Sequence, residues 1–137
     1  MLEDDSDDRL LTNEVLASLK VHLQIDFFSD SESLFHSLSR KRPNLILVDF
    51  NSAPENGLQV LKRLKSNKSL QNIPVSILSD SNLSKYREEC YSEGASSFIT
   101  KPTSLNETRK KITAFFTYWM EVAESWFNQT ILPFVSS

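Results

Sequence analysis

Cysteine, glycine and long apolar runs are all scarce in this sequence, and each scarcity excludes a class of protein. Cys90 is the only cysteine, so no internal disulfide can form, and the acidic N-terminus, MLEDDSDD, is unlike a secretory signal. Two glycines, Gly57 and Gly94, cannot build a glycine-rich phosphate loop, which argues against nucleotide binding. The longest apolar stretches are about 5 residues, against the ~20 that cross a bilayer. We therefore expect a soluble protein of the reducing cytoplasm.

An excess of positive charge is also lacking. The 15 Lys and Arg residues are scattered among 18 Asp and Glu residues, and the formal net charge is -3. This balance offers no electrostatic reason to bind nucleic acid or an anionic membrane. A chain of 137 residues suits one domain. We expect its partner to be another protein.

Apolar residues follow two alternating patterns along the chain. Spacings of three or four residues predict helices, and short continuous apolar runs predict buried strands. Ser104 and Glu107 fit a capping box at the start of the last helix. The predicted strands are 24–28, 45–50, 74–78 and 96–100, and the predicted helices are 7–20, one around 34–38, one ending near 66, 81–93 and 104–127.

This alternation predicts an α/β protein with a parallel sheet between two helical layers, the doubly wound architecture. In such sheets the functional groups gather at the crevice where the carboxyl ends of the strands open. The residues at those ends are acidic, hydroxyl-bearing or cationic. They are Glu3 to Asp5, Asp49 to Asn51, Ser79 with Asp80, and Lys101 with Pro102.

The strand-end residues have the chemistry of a phosphoryl-transfer site. Carboxylates from two strand ends offer the hard oxygen ligands that Mg²⁺ takes, usually together with water and phosphate oxygens. In-line transfer of a phosphoryl group needs a nucleophile, a metal, and further cation and hydroxyl donors. Asp49, Lys101 and Ser79, with Mg²⁺, supply that set.

Four motifs in this order and spacing resemble the response-regulator receiver family: LEDDSDDR, NLILVDFNSAPENG, IPVSILSD and GASSFITKP. The resemblance covers nearly the whole chain and implies a flavodoxin-like fold with a five-stranded parallel sheet. It implies that Asp49 is the phosphoacceptor. It also implies that Glu3 and Asp4 form an acidic pair for Mg²⁺, and that Asn51 offers its backbone carbonyl to the metal.

The same resemblance implies the residues that respond to phosphorylation. Lys101, followed by a cis peptide bond to Pro102, would pair with the phosphoryl oxygens. Ser79 would move to hydrogen-bond the phosphate, and the rotamer of Phe98 would follow it. Ser79 and Phe98 would thus form an element with two states, and the charge of about −1.5 to −2 that a phosphoryl group adds can favour one of them.

The ending of the chain, KPTS followed by a helix carrying FFTYW, is similar to the small single-domain receivers that partner bacterial phytochromes. That similarity implies a stand-alone response regulator of a two-component phosphorelay, with a histidine kinase as phosphodonor and no output domain in the same chain. Such a protein is a signalling switch. It is not an enzyme in the usual sense, because it catalyses only its own phosphorylation and dephosphorylation.

Two alternatives come from other classes of protein. Asp80 stands where receivers usually have a small residue, so a second hypothesis is a receiver-like interaction module that no longer switches. A phosphatase with an aspartyl nucleophile wants a second carboxylate two residues after that nucleophile, and Asn51 stands there instead. The second alternative is therefore disfavoured.

The start of the chain departs from the family pattern. Only Met1 and Leu2 precede the acidic pair, although the family's first strand is central in the sheet and strands have ~5 residues. Backbone groups left unpaired in the core would cost ~1–3 kcal/mol each. We expect the chain to begin inside a truncated first strand. The rival hypothesis fills the gap with residues 130–135, and Pro133 argues against it.

The last predicted helix is too long for the sheet that it covers. Residues 104–127 would extend about 36 Å as one helix, whereas strands of ~5 residues make a sheet less than about 20 Å deep. An overhang carrying Trp126 and Phe127 predicts a homodimer through this helix, and the alternative is a tail that folds back. We place the receiver domain at residues 1–127 and a C-terminal tail at 128–137.

Overall fold

Helices and strands alternate along the part of the chain that is described, residues 1–3, 6–19 and 24–122 of a computed structural model. The three strands lie within one residue of the runs predicted at 45–50, 74–78 and 96–100. None of the helices in this part combines the length and the apolar character needed to cross a bilayer. In chain order the elements are α1 (Ser6–Ser18), α2 (Ser31–Leu38), β1 (Ile46–Asp49), α3 (Gly57–Ser66), β2 (Val75–Ser79), α4 (Ser84–Ser92), β3 (Ser97–Thr100), α5 (Leu105–Thr117) and a π-helix (Tyr118–Val122).

The three strands form one parallel sheet in the order β1-β2-β3. Ile46 pairs with Val75 across the first ladder, and Ile77 pairs with Phe98 across the second. Every residue of β1 and β2 is buried, because helices cover both faces of a parallel sheet. This explains why these strands are continuous apolar runs, and it confirms the predicted α/β receiver-type fold.

The predicted strand at 24–28 is wrong as a full strand, because only Phe28 pairs there. Residues 1–3 and Phe28 occupy the other two of the five predicted sheet positions through single parallel bridges. Leu2 bridges to Val48 on one side and to Phe28 on the other. The Leu2 N–H donates to Leu47 O at 2.8 Å, and Leu2 O accepts from the Asp49 N–H at 3.0 Å. The short segment therefore pairs the backbone groups of β1 that a missing central strand would have left unpaired. The rival segment, 130–135, lies outside the described residues.

Two apolar layers hold the sheet between the helices. Alternate residues of β1 point to opposite faces, so Ile46 and Val48 enter one layer while Leu47 enters the other. Helices α2, α3 and α4 cover the first layer, and α1 and α5 cover the second. The first layer includes Leu34, Ile46, Val48, Val60 and Leu61, and the second includes Leu16, Leu45, Leu47, Leu78 and Phe116.

The end of the sheet and the final helix differ from two expectations. The predicted capping residue is correct, since Ser104 Oγ accepts from the Glu107 N–H at 3.1 Å. The predicted single α-helix is wrong beyond Thr117, where the chain continues as a π-helix, and residues 123–127 lie outside the described part. The expected cis bond before Pro102 is also wrong. The cis bond lies at Ala53–Pro54, and Lys101 leaves β3 as extended chain, with its N–H donating to Ser79 O at 2.8 Å.

Gly57, the first residue of α3, lies against the loop that follows β1. A Cβ atom at this position would lie 2.6 Å from Phe50 Cα, a backbone atom that cannot rotate away. We expect Gly57→Ala to lower the free energy of unfolding by about 1–3 kcal/mol, because the helix start and the loop after Asp49 must separate. Urea unfolding measures this change. Lys62→Ala, an exposed change on the same helix, serves as the control and should stay within about 0.5 kcal/mol of wild type.

Candidate phosphoryl-transfer site

The carboxyl ends of the parallel strands bring several of the predicted site residues to one edge of the sheet. Asp49 is the last residue of β1, Ser79 is the last residue of β2, and Lys101 directly follows β3. Glu3 follows the bridge that Leu2 makes with Val48. Asp4 lies outside the described residues, so its place relative to this edge stays a prediction.

Lys101 links three carboxylates at this edge. Its Nζ atom lies 2.9 Å from Asp8 Oδ2, 3.2 Å from Glu3 Oε1 and 3.3 Å from Asp49 Oδ2. Burial lowers the pKa of Lys101, but the hydrogen bond to Asp8 and the negative charges of Glu3 and Asp49 outweigh it and raise the pKa above its usual value. The ammonium therefore stays charged at neutral pH.

Glu3 is the most deeply buried acid of the group, with its side chain 0% exposed. Burial, followed by a hydrogen bond to Asp49 and the negative charge of Asp49, raises the pKa of Glu3 to about 9, and Lys101 opposes this rise. Two carboxyl groups are thus held in contact in a place that water hardly reaches. Added positive charge at this point would favour the ionised form of Glu3.

Asp49 is held at both carboxylate oxygens. Oδ2 contacts Lys101, and Oδ1 accepts from the Asn51 backbone N–H at 3.0 Å. Its side chain is 8% exposed, so the group stands at the floor of the crevice. Contacts of this kind fix a carboxylate in one orientation, which is what a nucleophile for in-line transfer requires.

The two predicted switch residues lie on the neighbouring strands, Ser79 at the end of β2 and Phe98 within β3. Ser79 is buried, and its Oγ accepts from the Ser81 N–H at 3.1 Å, so the hydroxyl is engaged by its own loop. Phe98 is partly buried and packs against the layer that contains α2 and α3. These are the positions of the two side chains without a phosphoryl group on Asp49. Their roles in switching remain predictions.

Asp8 is a site residue that the sequence reasoning missed. It lies in the first turn of α1, where an acid suits the helix dipole, yet its carboxylate lies closer to Lys101 Nζ, at 2.9 Å, than that of Glu3 or Asp49. Arg9 ties this helix to the site, since its Nε donates to Glu3 O at 2.6 Å. The signal available in the sequence was the dense acidic run before α1, which exceeds what a helix start needs.

Comparison with known proteins identifies the family of this chain. Residues 1–113 match the family model of the response regulator receiver domain. The chain belongs to that family. In a doubly wound sheet, the carboxyl ends of the strands form the edge at which functional groups are expected.

Relatives of this receiver cover nearly its whole length. Response regulator Rcp1 of Synechocystis sp. is 27% identical over 88% of this chain and 87% of that protein. The crystal structure of the Mn(2+)-bound form of Rcp1 matches with a TM-score of 0.86, covering 90% of this chain and 94% of that one. The crystal structure of the phosphorylated cyanobacterial phytochrome response regulator RcpA also matches with a TM-score of 0.86. It is 27% identical and covers 92% of this chain and 95% of that one. These matches support the flavodoxin-like fold and the likeness to small phytochrome response regulators.

A plant relative matches over a shorter stretch. Two-component response regulator ARR15 of Arabidopsis thaliana is 32% identical over 59% of this chain. The aligned region spans 39% of the length of that protein. What is shared is the receiver domain, which is generally a signalling switch.

Proposed function

We propose that this receiver accepts a phosphoryl group on Asp49 from the phosphohistidine of a sensor histidine kinase, with Mg²⁺, and later hydrolyses it. The observation that carries the proposal is the contact of Lys101 Nζ with Asp49 Oδ2 at 3.3 Å in a crevice shared with buried Glu3. The proposed setting is a two-component relay in the cytoplasm. Incubation with Mg²⁺ and a small phosphodonor, followed by intact-mass measurement, tests it.

The chemistry assigned to the chain's own residues is a displacement at phosphorus. A carboxylate oxygen of Asp49 forms the new P–O bond, the P–N bond to the kinase imidazole breaks, and the imidazole nitrogen keeps the electron pair. Lys101 neutralises negative charge on the phosphoryl oxygens, and it can do so because it already lies against Asp49. Asn51 holds the other oxygen of Asp49 through its backbone N–H.

Mg²⁺ would be held by Glu3, Asp4 and Asp49 and by the backbone carbonyl of Asn51. These are hard oxygen donors, and burial, followed by the hydrogen bond to Asp49 and its negative charge, raises the pKa of Glu3, a rise that a divalent cation would oppose. When bound, Mg²⁺ supplies positive charge to the phosphoryl oxygens. Within the described residues no three His, Cys, Asp or Glu side chains are arranged as a metal site, so the assignment depends on Asp4.

Mg²⁺ binding should require both Asp4 and Asp49. We expect Asp4→Ala and Asp49→Asn each to weaken Mg²⁺ affinity about 10-fold or more, because too few hard oxygen ligands remain. Isothermal titration calorimetry measures the affinity, and Glu88→Gln, an exposed acid on α4, is the control for lost net charge. Because Glu3 can bind the metal through a water molecule, Glu3→Gln should weaken Mg²⁺ affinity less than Asp4→Ala does. Unchanged affinity in Asp4→Ala would refute the metal assignment.

Phosphorylation is proposed to switch the receiver through Ser79 and Phe98. A phosphoryl group on Asp49 brings about −1.5 to −2 charges and strong acceptor oxygens. The Ser79 hydroxyl, now bound by the Ser81 N–H, would turn to donate to a phosphoryl oxygen. Phe98 on the neighbouring strand would then change rotamer, and the surface near β3 would change with it.

The C-terminal helix is the proposed surface for a homodimer. Tyr118 is 51% exposed at the start of the π-helix, and Trp119 packs beside Phe115 there. Trp126 and Phe127, which motivated the proposal, lie outside the described residues. We expect light scattering to give a dimer for the full chain and a monomer for a version ending at Glu121. If both proteins are monomers, the dimer proposal is wrong, and the aromatic C-terminal residues then belong to a folded-back tail or to the kinase interface.

A further inference from the structure

Asp80 places a fourth carboxylate at the mouth of the proposed phosphorylation site. Its Oδ2 accepts from Asn51 Nδ2 at 3.1 Å, and its Oδ1 lies 4.0 Å from Lys101 Nζ. Its side chain is 71% exposed, whereas that of Asp49 is 8% exposed. The carboxylate of Asp80 therefore stands at the solvent side of the crevice, between the loop after β1 and the residue after β3.

Its own loop gives no structural reason for a carboxylate at this position. The turn after β2 is satisfied by hydroxyl groups, since the Ser81 N–H donates to Ser79 Oγ and the Leu83 N–H donates to Ser81 Oγ. The N-cap residue of α4 is Leu83, and no side chain caps that helix. The described polar contacts of Asp80 instead reach across the crevice to residues of the two neighbouring strand ends.

A charge at this position acts on every donor that approaches Asp49. One ammonium nitrogen reaches both Asp49 and Asp80, so a phosphoryl group arriving at Asp49 lies within a few ångströms of the Asp80 carboxylate. One unit of charge at such a distance, close to solvent, changes a rate about three- to tenfold at low ionic strength. A dianionic donor is repelled more than a donor whose negative phosphoryl group is carried on a positively charged nitrogen.

We propose that Asp80 is a specificity-determining residue that selects phosphodonors by charge, against free acyl phosphates and in favour of phosphoryl groups carried on nitrogen. The inference rests on the proposed phosphorylation of Asp49. With acetyl phosphate, the bond from phosphorus to the acyl oxygen breaks and acetate leaves with its electron pair. With phosphoramidate, the P–N bond breaks, and the protonated nitrogen keeps the pair and leaves as ammonia. In both cases a carboxylate oxygen of Asp49 forms the new bond to phosphorus.

The test compares the rates of phosphorylation by acetyl phosphate and by phosphoramidate, at saturating Mg²⁺ and low ionic strength, by intact mass. Asp80→Asn removes the charge and keeps an oxygen that accepts from Asn51. We expect it to raise the acetyl phosphate rate about threefold or more and to change the phosphoramidate rate less. Asp80→Glu should preserve the wild-type ratio of the two rates, and Glu88→Gln, which loses the same net charge on α4, should leave it unchanged. High salt should remove the difference between Asp80→Asn and wild type.

Three other outcomes would overturn the inference. Equal acceleration by both donors means that Asp80 alters the reactivity of Asp49 and does not discriminate charge. If neither rate changes in Asp80→Asn, the carboxylate has no influence on the donor. In both cases the proposed function stands, because wild type is still phosphorylated on Asp49. If neither donor phosphorylates wild type, the proposed function fails and the selection by Asp80 fails with it.

Discussion

Asp49→Asn gains no phosphoryl group when it is incubated with Mg²⁺ and a small phosphodonor, whereas wild type gains one. The asparagine keeps the size of the side chain and a carbonyl oxygen for the Asn51 N–H, but it lacks the anionic oxygen that must form the bond to phosphorus. The expected loss is complete on the time scale of the wild-type reaction. Intact mass measures it directly.

Ser79→Ala is the matched control for this loss. Ser79 ends the strand beside β1 and is bonded to the Ser81 N–H, so its removal affects the proposed switch and leaves the nucleophile in place. We expect its mass to increase as in wild type. A gain retained by Asp49→Asn would place the phosphoryl group on another residue. The absence of a gain in wild type would favour an interaction module that does not switch.

Lys101→Ala should lower the rate of phosphoryl transfer about 100-fold. Lys101 is the cation that contacts Asp49, and loss of one preorganised donor to developing charge typically costs this much. The substitution also leaves three acidic groups together without the ammonium. We expect the free energy of unfolding to fall by about 3 kcal/mol, the low end for a broken buried ion pair, because the raised pKa of Glu3 already favours its protonated form and lessens the charge left unpaired.

Two variants separate the charge of Lys101 from a general loss of folding. Lys111→Ala removes a nearby lysine whose Nζ donates to Thr100 O at 2.9 Å, and it should change neither the transfer rate nor the stability strongly. Lys101→Arg keeps the positive charge and should retain more of the rate than alanine does. Urea unfolding and the mass assay are run on the same samples. A wild-type rate in folded Lys101→Ala would contradict the proposed role.

The buried strands were predictable because their surroundings leave a simple trace in the sequence. A parallel strand covered on both faces is mostly apolar, and LILVDF and PVSIL are short, largely apolar runs. Once these runs are set in a parallel sheet, their carboxyl ends meet at one edge. The sequence therefore predicts Asp49, Ser79 and Lys101 at that edge, where the structure also has them.

The pairing of the first residues was not predictable from such a pattern. Three residues are too few to show a period, and whether they enter the sheet depends on backbone partners distant in sequence. Leu2 finds those partners on both sides, at Val48 and Phe28. The apolar spacing likewise does not indicate the π-helix after Thr117, because a local sequence pattern does not fix whether an N–H pairs with the fourth or the fifth residue before it.

The sequence by itself determined the fold class, the order of elements and the strand-end residues, because a buried strand or helix leaves an apolar pattern within a few neighbouring residues. Only the tertiary structure decided which charges touch. Asp8 reaches Lys101 from α1, and Asp80 reaches toward the same ammonium from the loop after β2. Those contacts depend on the distance between side chains of elements that are far apart in the chain. No local sequence pattern gives that distance.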